Sequence, residues 1–238
     1  MIVHDGGFES FFTALVMAIE RNEEFAYEGN SLFATEKVSP DPERVEKWIQ
    51  SLRKFFGEEI VSDFMALFFS EDAEREYLSL RYAFLLQEKG NMIRRDITHE
   101  IIHRVMRIRR AYFFEVHRFQ GLVRFREIGS WLYGPIEPTY HILPYLWLHF
   151  RRRLPHERWI LHDVRRDVAV LFDGEIHWAS GFVIQDNVHH LESAKEKEIQ
   201  ALWKNFYQNI AIPERKNPRQ QRQMMPKKYW KYLIEKQK

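Results

Sequence analysis

Residues 159–172, WILHDVRRDVAVLF, decide the fold class of this chain. Two short apolar runs, Trp159–His162 and Val168–Phe172, lie on either side of a polar turn at Arg165–Asp167. Short apolar runs bounded by turn residues predict strands. Helical patterns lie before and after them, at about 141–152 and about 190–209. Strands grouped between helices predict an α+β fold with an antiparallel sheet.

Outward from this segment, the pattern predicts more strands on both sides. They are expected at Ile2–His4, at Leu122–Glu127 in a hairpin with Trp131–Tyr133, and at Ile176–Ile184. Helices are expected at about 8–20, at 42–56 behind the N-cap signal Asp41-Pro42, at 58–69, and from the cap at Ser70 to Lys89. The sequence therefore predicts an acidic, mainly helical region over residues 1–90. It is expected to pack on a basic α+β domain over residues 91–238, whose central antiparallel sheet is flanked by helices.

Composition bounds the chemistry that the chain can perform. The 238 residues are 45% apolar, which is enough to build a core. The chain contains no Cys, so disulfides, thiolate zinc sites, iron–sulfur clusters and Cys nucleophiles are excluded. The longest apolar run, Phe11–Ile19, is about half the length of a membrane span, and Met1–Asp5 shows no secretion signal. We therefore expect a cytoplasmic protein without a membrane segment.

Charge is distributed unevenly along the chain. Residues 1–80 carry 7 Lys/Arg and 17 Asp/Glu, a balance of −10, whereas residues 81–238 carry 29 and 17, a balance of +12. A basic region rich in Arg and aromatic residues indicates a polyanion partner such as nucleic acid. Attraction between two oppositely charged regions of one molecule explains the same totals, and charge alone leaves both interpretations open.

Residues 96–117 have the pattern of a long helix with two distinct faces. Apolar residues recur every three or four positions at Ile97, Ile101, Val105, Ile108, Tyr112 and Val116, as a buried stripe should. A second row has the same period and combines cations with a ring: His103, Arg107, Arg110, Phe114 and His117. That row is a candidate surface for binding phosphates.

The same helix carries the pattern H-E-x-x-H at His99, Glu100 and His103. Two His at i and i+4 bind zinc in metalloproteases, where the Glu activates water. The extended form of the motif is absent, since Met106 and Arg109 occupy the positions of its Gly and third His. Five arginines also surround the motif, at 104, 107, 109, 110 and 118. Two polar residues on a solvated helix face therefore explain the pattern better than a zinc site does, and we expect no metal.

A group of His and Arg residues, together with one Glu, is expected near the predicted sheet: Glu115, His117, Arg118, Arg124, His141, His149, Arg152 and His162. His and Arg in one cleft could bind phosphate or transfer protons. The alternative is a set of hydrogen-bonded His at the edge of the core with Arg on the surface. Patterns for a serine nucleophile, a phosphate-binding loop or a dinucleotide site do not occur.

Four stretches together resemble a bacterial family of "probable DNA metabolism proteins", a domain of unknown function. They are DGGFESF at 5–11, EVHRFQGLVRFREI at 115–128, YGPIEPTYHILPYLWLHFRRR at 133–153 and ERKNPRQQRQMMPKKYWKYLIE at 214–235. In that family the gene lies beside one for a radical SAM enzyme, and some members are fused to a uracil-DNA glycosylase-like domain. The resemblance thus implies a role in DNA repair or modification with a radical SAM partner.

The resemblance also singles out individual positions. They are His117, Arg118, Gly121, Arg124, Phe125, Pro135, Glu137, Pro138, His141, Leu143, Pro144, His149, Phe150, Glu214, Arg215, Asn217, Pro218, Arg219, Gln221, Met225, Pro226, Tyr229, Trp230 and Lys231. The chain departs from the family at Ile142, where Asn is expected, and at Met224, where His is more frequent. Both departures weaken a metal or acid–base role at those positions.

The C-terminal segment combines charge with aromatic residues. Residues 211–238 contain nine Lys/Arg and only Glu214 and Glu235 as acids, a balance of +7. We expect a short docked helix at Pro226–Glu235, preceded by an extended strap at Arg215–Gln223 whose Arg reach either protein or phosphates. Tyr229 and Trp230 could stack on unpaired bases, or the whole segment could clamp the protein itself.

The leading expectation is therefore a DNA-binding protein that works with a radical SAM enzyme and holds no cofactor of its own. Its expected nucleic-acid contacts are Arg107, Arg110, Arg118, Arg152, Arg215, Arg219, Arg222, Tyr229 and Trp230. The alternative is a His-dependent hydrolase of nuclease or glycosylase type with His117, Arg124, His141 and His149 as catalytic groups. A zinc protease, and a scaffold that docks the radical SAM enzyme without touching DNA, are further alternatives. The sequence leaves open whether the chain is an enzyme.

Overall fold

The structure is a computed structural model that describes residues 1–30, 36–184, 192–210, 212, 215 and 217–237. The chain forms two compact units, Met1–Phe113 and Phe114–Lys238. The charge balance changes sign at Gly90-Asn91, where we predicted a boundary, whereas the compact units divide after Phe113. Net charge is a property of the surface residues, whereas a compact unit is defined by the residues that pack in its core. The two boundaries therefore need not coincide.

The first unit is mainly helical and contains a small parallel sheet in the order β2-β1-β3. Its strands are β1 Ile2–His4, β2 Phe25–Tyr27 and β3 Glu36–Lys37. Its helices are α1 Phe8–Arg21, α2 Pro42–Phe56, α3 Glu58–Phe69, α4 Arg75–Lys89 and the first part of α5 Glu100–Leu122, with 3₁₀ turns at Glu28–Asn30 and Asn91–Arg95.

Local signals fix these helices, and aromatic packing holds them together. The side chain of Asp41 accepts a hydrogen bond from Arg44 N, so it caps α2 as predicted. Phe11, Phe12 and Phe64 are fully buried in one core, where each such ring contributes about 1.5–3 kcal/mol by leaving water. The buried carboxylate of Asp63 binds Tyr82 Oη, Arg94 and Arg109.

In its described residues, the second unit contains a five-stranded sheet and three further helices. Its strands are β4 Arg126–Ile128, β5 Trp131–Ile136, β6 Trp159–Asp163, β7 Val168–Phe172 and β8 Ile176–Ser180. Its helices are α6 Leu143–Arg153, α7 Ala194–Asn209 and α8 Pro218–Met224, followed by 3₁₀ turns at Lys227–Tyr232 and Ile234–Lys236.

The sheet runs in chain order, β4 to β8, and is mixed. Strands β6 and β7 pair antiparallel, as the opening segment predicted, with Ile160 opposite Leu171. Strands β5 and β6 pair parallel, so the prediction of an antiparallel sheet is wrong for this pair. Helix α6 lies between them in sequence, and a helical crossover returns the chain to the same end of the sheet. The α+β class is confirmed.

Two glycines permit the tight geometry of the first hairpin. Gly129 adopts φ +58 in the turn between β4 and β5, a conformation that glycine reaches without strain. A Cβ on Gly134 would lie 2.8 Å from Phe125 Cε1 and 2.9 Å from Val123 Cγ1. The bare backbone of β5 therefore allows the segment after α5 to pack directly on the strand.

Two predicted elements are wrong. The strand predicted at Leu122–Glu127 is only Arg126–Ile128, because α5 continues through Gly121 to Leu122. One glycine in a helix costs only about 1 kcal/mol. The strap predicted as extended at Arg215–Gln223 contains α8 instead. Asn217 caps it through a hydrogen bond from Gln220 N, and Pro218 is the first helical residue.

Two other predicted elements differ from the observed ones in type or in length. The predicted helix at Pro226–Glu235 consists of two 3₁₀ turns, which still dock on the second unit. The predicted helix at 190–209 begins at Ala194, and its first residues fall partly outside the described chain. Among the described helices, none combines the length and the apolar character that a membrane span requires.

Candidate nucleic-acid interface

Helix α5 presents the two faces that its sequence predicted. The residues of the predicted stripe that lie within the helix, from Ile101 to Val116, are buried, whereas Ile97 precedes the helix and is 65% exposed. The second row is exposed along its whole length. It comprises His103, Arg107, Arg110, Phe114 and His117, and we call it the α5 row. Spacings of four, three, four and three residues place these side chains on one face of the helix.

Arginines on α5 differ in whether a carboxylate neutralises them. Arg104 pairs with Glu74, and Arg109 pairs with the fully buried Asp63. Within the described part of the chain, no carboxylate forms an ion pair with Arg107 or Arg110. Arg107 and Arg110 belong to the α5 row, whereas the two neutralised arginines lie beside it.

Arg118 follows the row and is half-buried. Its guanidinium lies 4.1 Å from the centre of the Phe114 ring, in the geometry of a cation–π contact. Its Nη2 also donates a hydrogen bond to the backbone O of Gln223. Arg118 thus connects α5 with the end of α8 and has only part of its donor capacity available for a ligand.

A second group of open cations ends α6. Arg151, Arg152 and Arg153 are exposed in the last turn, where positive charge is favourable to the helix dipole. No described Asp or Glu pairs with any of the three. Towards the end of the chain, Arg215, Arg219 and Arg222 are also exposed, and Arg222 Nε donates to the backbone O of Pro218.

Arg124, in contrast, is occupied by the protein. Its Nη2 and Nε donate to the two carboxylate oxygens of Glu235 at 2.7 and 3.2 Å, and its Nη1 donates to the backbone O of Gly121. The side chain of Glu235 is 1% exposed and also accepts from Trp203 Nε1 at 3.0 Å. Arg124 is therefore a clamp for the end of the chain.

Glu115 is the other anchor of the tail, residues 217–237. This carboxylate is 3% exposed, and it accepts hydrogen bonds from the backbone N of Thr139 and Tyr140 at 3.0 and 2.8 Å. It also accepts from Tyr229 Oη. Burial, reinforced by the hydrogen bond to Glu115, raises the pKa of Tyr229, so the phenol stays protonated and donates.

Tyr229 and Trp230 were expected to stack on bases, and the structure places both against protein. Tyr229 is 5% exposed with its ring 4.8 Å from that of Phe119. Trp230 is half-buried, its Nε1 donates to the backbone O of Met225, and Lys236 Nζ lies 4.7 Å from its ring. Base stacking by these two residues stays a prediction, and their packing favours the clamp interpretation.

The loop between β5 and α6 is held from three directions. Glu115 binds its backbone N–H groups, and Arg165 and Arg166 donate to the backbone O of Thr139 at 3.0 and 2.9 Å. Glu137 accepts from Lys231 Nζ and Tyr232 Oη. The hydrogen bond from Lys231 lowers the pKa of Glu137, against the smaller effect of burial. Hydrogen bonds from the tail thus fix the position of this loop.

The four residues of the catalytic alternative have different surroundings. His117 is exposed on α5, His141 is half-buried just before α6, and His149 is half-buried on α6. Burial, followed by the charge of Arg153, lowers the pKa of His149, so it is neutral at pH 7. Arg124 lines a cavity whose lining contains none of the three histidines. Their catalytic role stays a prediction.

The structure gives roles to residues to which the sequence assigned none. Glu235 and Glu115 organise the tail; the sequence had only grouped Glu115 with residues around the sheet, and Glu235 is one of two acids in the basic residues 211–238. Tyr133 Oη and His162 Nδ1 share a hydrogen bond of 2.7 Å across neighbouring strands of the core. Burial lowers the pKa of His162 and raises that of Tyr133, so both are neutral at pH 7.

The H-E-x-x-H pattern lies at the beginning of α5, with His99 one residue before the helix. His103 is exposed and belongs to the α5 row. Among the described residues, no group of three or more His, Asp or Glu side chains is placed to hold a metal ion. The protease alternative therefore lacks a third ligand in this part of the chain.

Comparison with known proteins gives a family but no activity. A family described as a domain of unknown function (DUF4130) matches residues 73–235, which is more than half of the chain. No curated protein and no solved structure matches. The matched range includes all of α5, the five-stranded sheet and nearly all of the tail.

Proposed function

The chain belongs to the DUF4130 family, a domain of unknown function, and from this premise we propose that it binds DNA through the α5 row. The observation that carries the proposal is the row itself. Arg107, Arg110 and His117 are exposed on one face of a helix, and none of them has a carboxylate partner among the described residues. Guanidinium groups match phosphate oxygens through their planar fork of donors.

The dimensions of the row suit a phosphate backbone. From Arg107 to His117 the helix rises about 15 Å. Over that length a DNA duplex carries about nine phosphate charges. Two arginines and a histidine can therefore contact two or three phosphates, and the part of the Phe114 ring that Arg118 does not cover is exposed and can contact a sugar or a base.

Carboxylates of the same chain neutralise only some of its arginines. Arg94, Arg104 and Arg109 all pair with carboxylates from residues 59–74. Arg107, Arg110, Arg152 and Arg219 form no ion pair with any described carboxylate. The acidic first eighty residues thus neutralise specific arginines of the first unit and leave the α5 row open.

The role in DNA repair or modification, and the radical SAM partner, rest on the resemblance to the family of DNA metabolism proteins. We propose a division of labour in which this chain binds DNA and the partner supplies the radical chemistry. A chain without Cys cannot hold an iron–sulfur cluster through thiolates. The exposed arginines of the α5 row support the DNA-binding part of this proposal.

Fluorescence anisotropy with labelled single-stranded and duplex DNA tests the proposal. Affinity should fall steeply between about 50 and 200 mM salt, because each neutralised phosphate releases counterions. In the double variant R107Q/R110Q, the slope of log K against log salt should decrease in magnitude by about 2 for duplex DNA.

The matched control is R21Q/R53Q, which removes the same net charge from exposed arginines that pair with Glu36 and Glu58. It should leave the slope unchanged. Absence of binding at low salt would overturn the proposal, and so would a control variant that weakens binding as much as R107Q/R110Q.

A further inference from the structure

A cavity of about 280 Å³ in the second unit has no role in the function proposed above. It lies between the segment after α5, the end of α6, helix α7 and the last 3₁₀ turn. Its lining includes Arg124, Phe125, Arg153, Gln200, Trp203 and Ile234. Ligand pockets in proteins span roughly 300–1,000 Å³. This cavity lies at the lower end of that range, so it has room for one small ring system and not for a larger ligand.

The walls of the cavity are mainly apolar, and one of them is a fixed aromatic plane. Trp203 is 36% exposed, its Nε1 donates to Glu235, and the guanidinium of Arg124 lies 5.3 Å from the centre of its ring. These contacts hold the indole in one orientation, and a ligand must stack on the face that Arg124 does not cover. Phe125 and Ile234 form other parts of the lining. A preformed slot beside an indole selects a flat ligand, because stacking needs two parallel faces.

The polar groups of the cavity differ in how far the protein satisfies them. Arg124 is neutralised by Glu235, and Gln200 Nε2 donates to Glu196 Oε1 at 2.8 Å. Arg153 is exposed and pairs with no carboxylate in the described chain. Glu196 also lines the cavity, but it is 5% exposed, and its carboxylate accepts from Gln200 Nε2 and from the backbone N of Glu127. At the margin, the guanidinium of Arg153 has no carboxylate partner among the described residues, and this charge is complementary to a flat ring that carries an anionic group.

We propose that this cavity binds an unpaired nucleobase of a DNA strand, with Trp203 stacking on the base and Arg153 binding its phosphate. The inference rests on the proposed function and specifies its strand form. Arg151 and Arg152 lie on the same turn as Arg153 and supply cations for neighbouring phosphates. Single-strand binding sites combine the same two elements, an aromatic platform and a cationic path.

The exposed face of α7 extends the platform beyond the cavity. The ring of Phe206 is 53% exposed, and its centre lies 5.8 Å from that of Trp203 with the planes inclined by 31°. A second base can therefore contact Phe206. Leu202 is also exposed on this helix, and an aliphatic residue there would equally suit a protein partner, so the test includes that outcome.

The first experiment compares two substitutions at one position. W203L keeps apolar volume but removes the aromatic face, whereas W203F keeps a face and loses the hydrogen bond to Glu235. W203L should weaken binding of a single-stranded oligonucleotide about 5- to 150-fold, the range expected for loss of one stacked base. W203F should bind within about threefold of the unsubstituted chain, since a phenyl ring still stacks. Equal losses in W203L and W203F would show a merely structural role for Trp203 and overturn the proposal.

The second experiment separates this proposal from the α5 row. Free deoxynucleoside 5′-monophosphates are not polyanions, so their binding, followed by NMR line broadening, does not depend on the row. R153Q should abolish the broadening and R151Q, from the same exposed turn, should retain it. Monophosphate binding without affinity for DNA strands would refute the proposed function while leaving the cavity a nucleotide site.

Two results would overturn the cavity proposal while DNA binding persists. One is the absence of monophosphate broadening in a chain that still binds DNA through Arg107 and Arg110. The other is self-association, measured by sedimentation, that is lost in W203L, because the α7 face would then be an interface between copies of the chain.

Discussion

The α5 row and the tail contain the same kinds of residue but differ in their exposure to solvent. Both combine arginines or lysines with aromatic side chains, yet the row is exposed, whereas the end of the tail, from Tyr229 to Glu235, is docked. The difference lies in two buried carboxylates. Glu115 accepts from Tyr229 of the tail, and Glu235 of the tail pairs with Arg124, whereas no described carboxylate pairs with Arg107 or Arg110. A basic, aromatic composition therefore indicates a binding surface only after the acidic partners have been located.

Removing the first anchor should produce the largest effect. In E115A, the backbone N–H groups of Thr139 and Tyr140 and the phenol of Tyr229 all lose their acceptor in a buried place. Each buried donor left without an acceptor costs about 1–3 kcal/mol, so these three together should cost at least about 3 kcal/mol. Urea unfolding should show this decrease in the free energy of unfolding, and limited proteolysis should cut the tail first.

The conservative variant E115Q provides the control for this prediction. It keeps an oxygen acceptor and nearly the same shape, so it should cost about 1–2 kcal/mol. If E115A is as stable as the unsubstituted chain and the tail remains protected, the tail is not held by Glu115. The contrast between the docked tail and the open row would then lose its physical basis.

The second anchor should show a smaller effect that depends on pH. R124Q leaves Glu235 buried with Trp203 as its remaining side-chain donor, and we expect a loss of about 2–3 kcal/mol at pH 7. A double-mutant cycle with E235Q should give a coupling energy of about 0.5–3 kcal/mol. Additive losses would show that the bidentate pair contributes nothing beyond its separate members.

The direction of the pH dependence follows from the pKa of Glu235. Burial acts to raise this pKa, but the hydrogen bonds from Arg124 and Trp203 outweigh it and lower the pKa. A lowered folded-state pKa contributes stability above the unfolded value of about 4.3, and that stability is lost as the pH falls through the folded pKa. The gap between the unsubstituted chain and R124Q should therefore narrow below about pH 4.

Much of the fold was predictable because it depends on local patterns. The helical periods, the Asp41 cap and the strand pair around Arg165–Asp167 all involve residues close in sequence. The exposure of the α5 row also followed from its period. Crossover connections are less local, and the parallel pairing of β5 and β6 was not evident from either strand, because it depends on where α6 returns the chain.

The contacts that dock the tail were beyond sequence reasoning for a related reason. Arg124 and Glu235 are 111 residues apart, and Glu115 and Tyr229 are 114 apart. No periodicity relates such positions, so Arg124 was assigned to catalysis and Tyr229 to base stacking. Asn217 and Pro218 did carry a local helix signal, which the extended-strap interpretation did not use.

The smallest expected effect is on the stability of the row itself. R107Q and R110Q remove exposed side chains that make no described ion pair, so each should change the free energy of unfolding by less than about 0.5 kcal/mol. Urea unfolding of both single variants measures this directly. R109Q, one residue away but paired with the fully buried Asp63, should cost about 2–3 kcal/mol in the same assay. If R107Q or R110Q destabilises the chain as much as R109Q, these arginines have partners inside the molecule. Any loss of DNA affinity in R107Q/R110Q would then report on folding, because a cation that holds the protein together is not available to a phosphate.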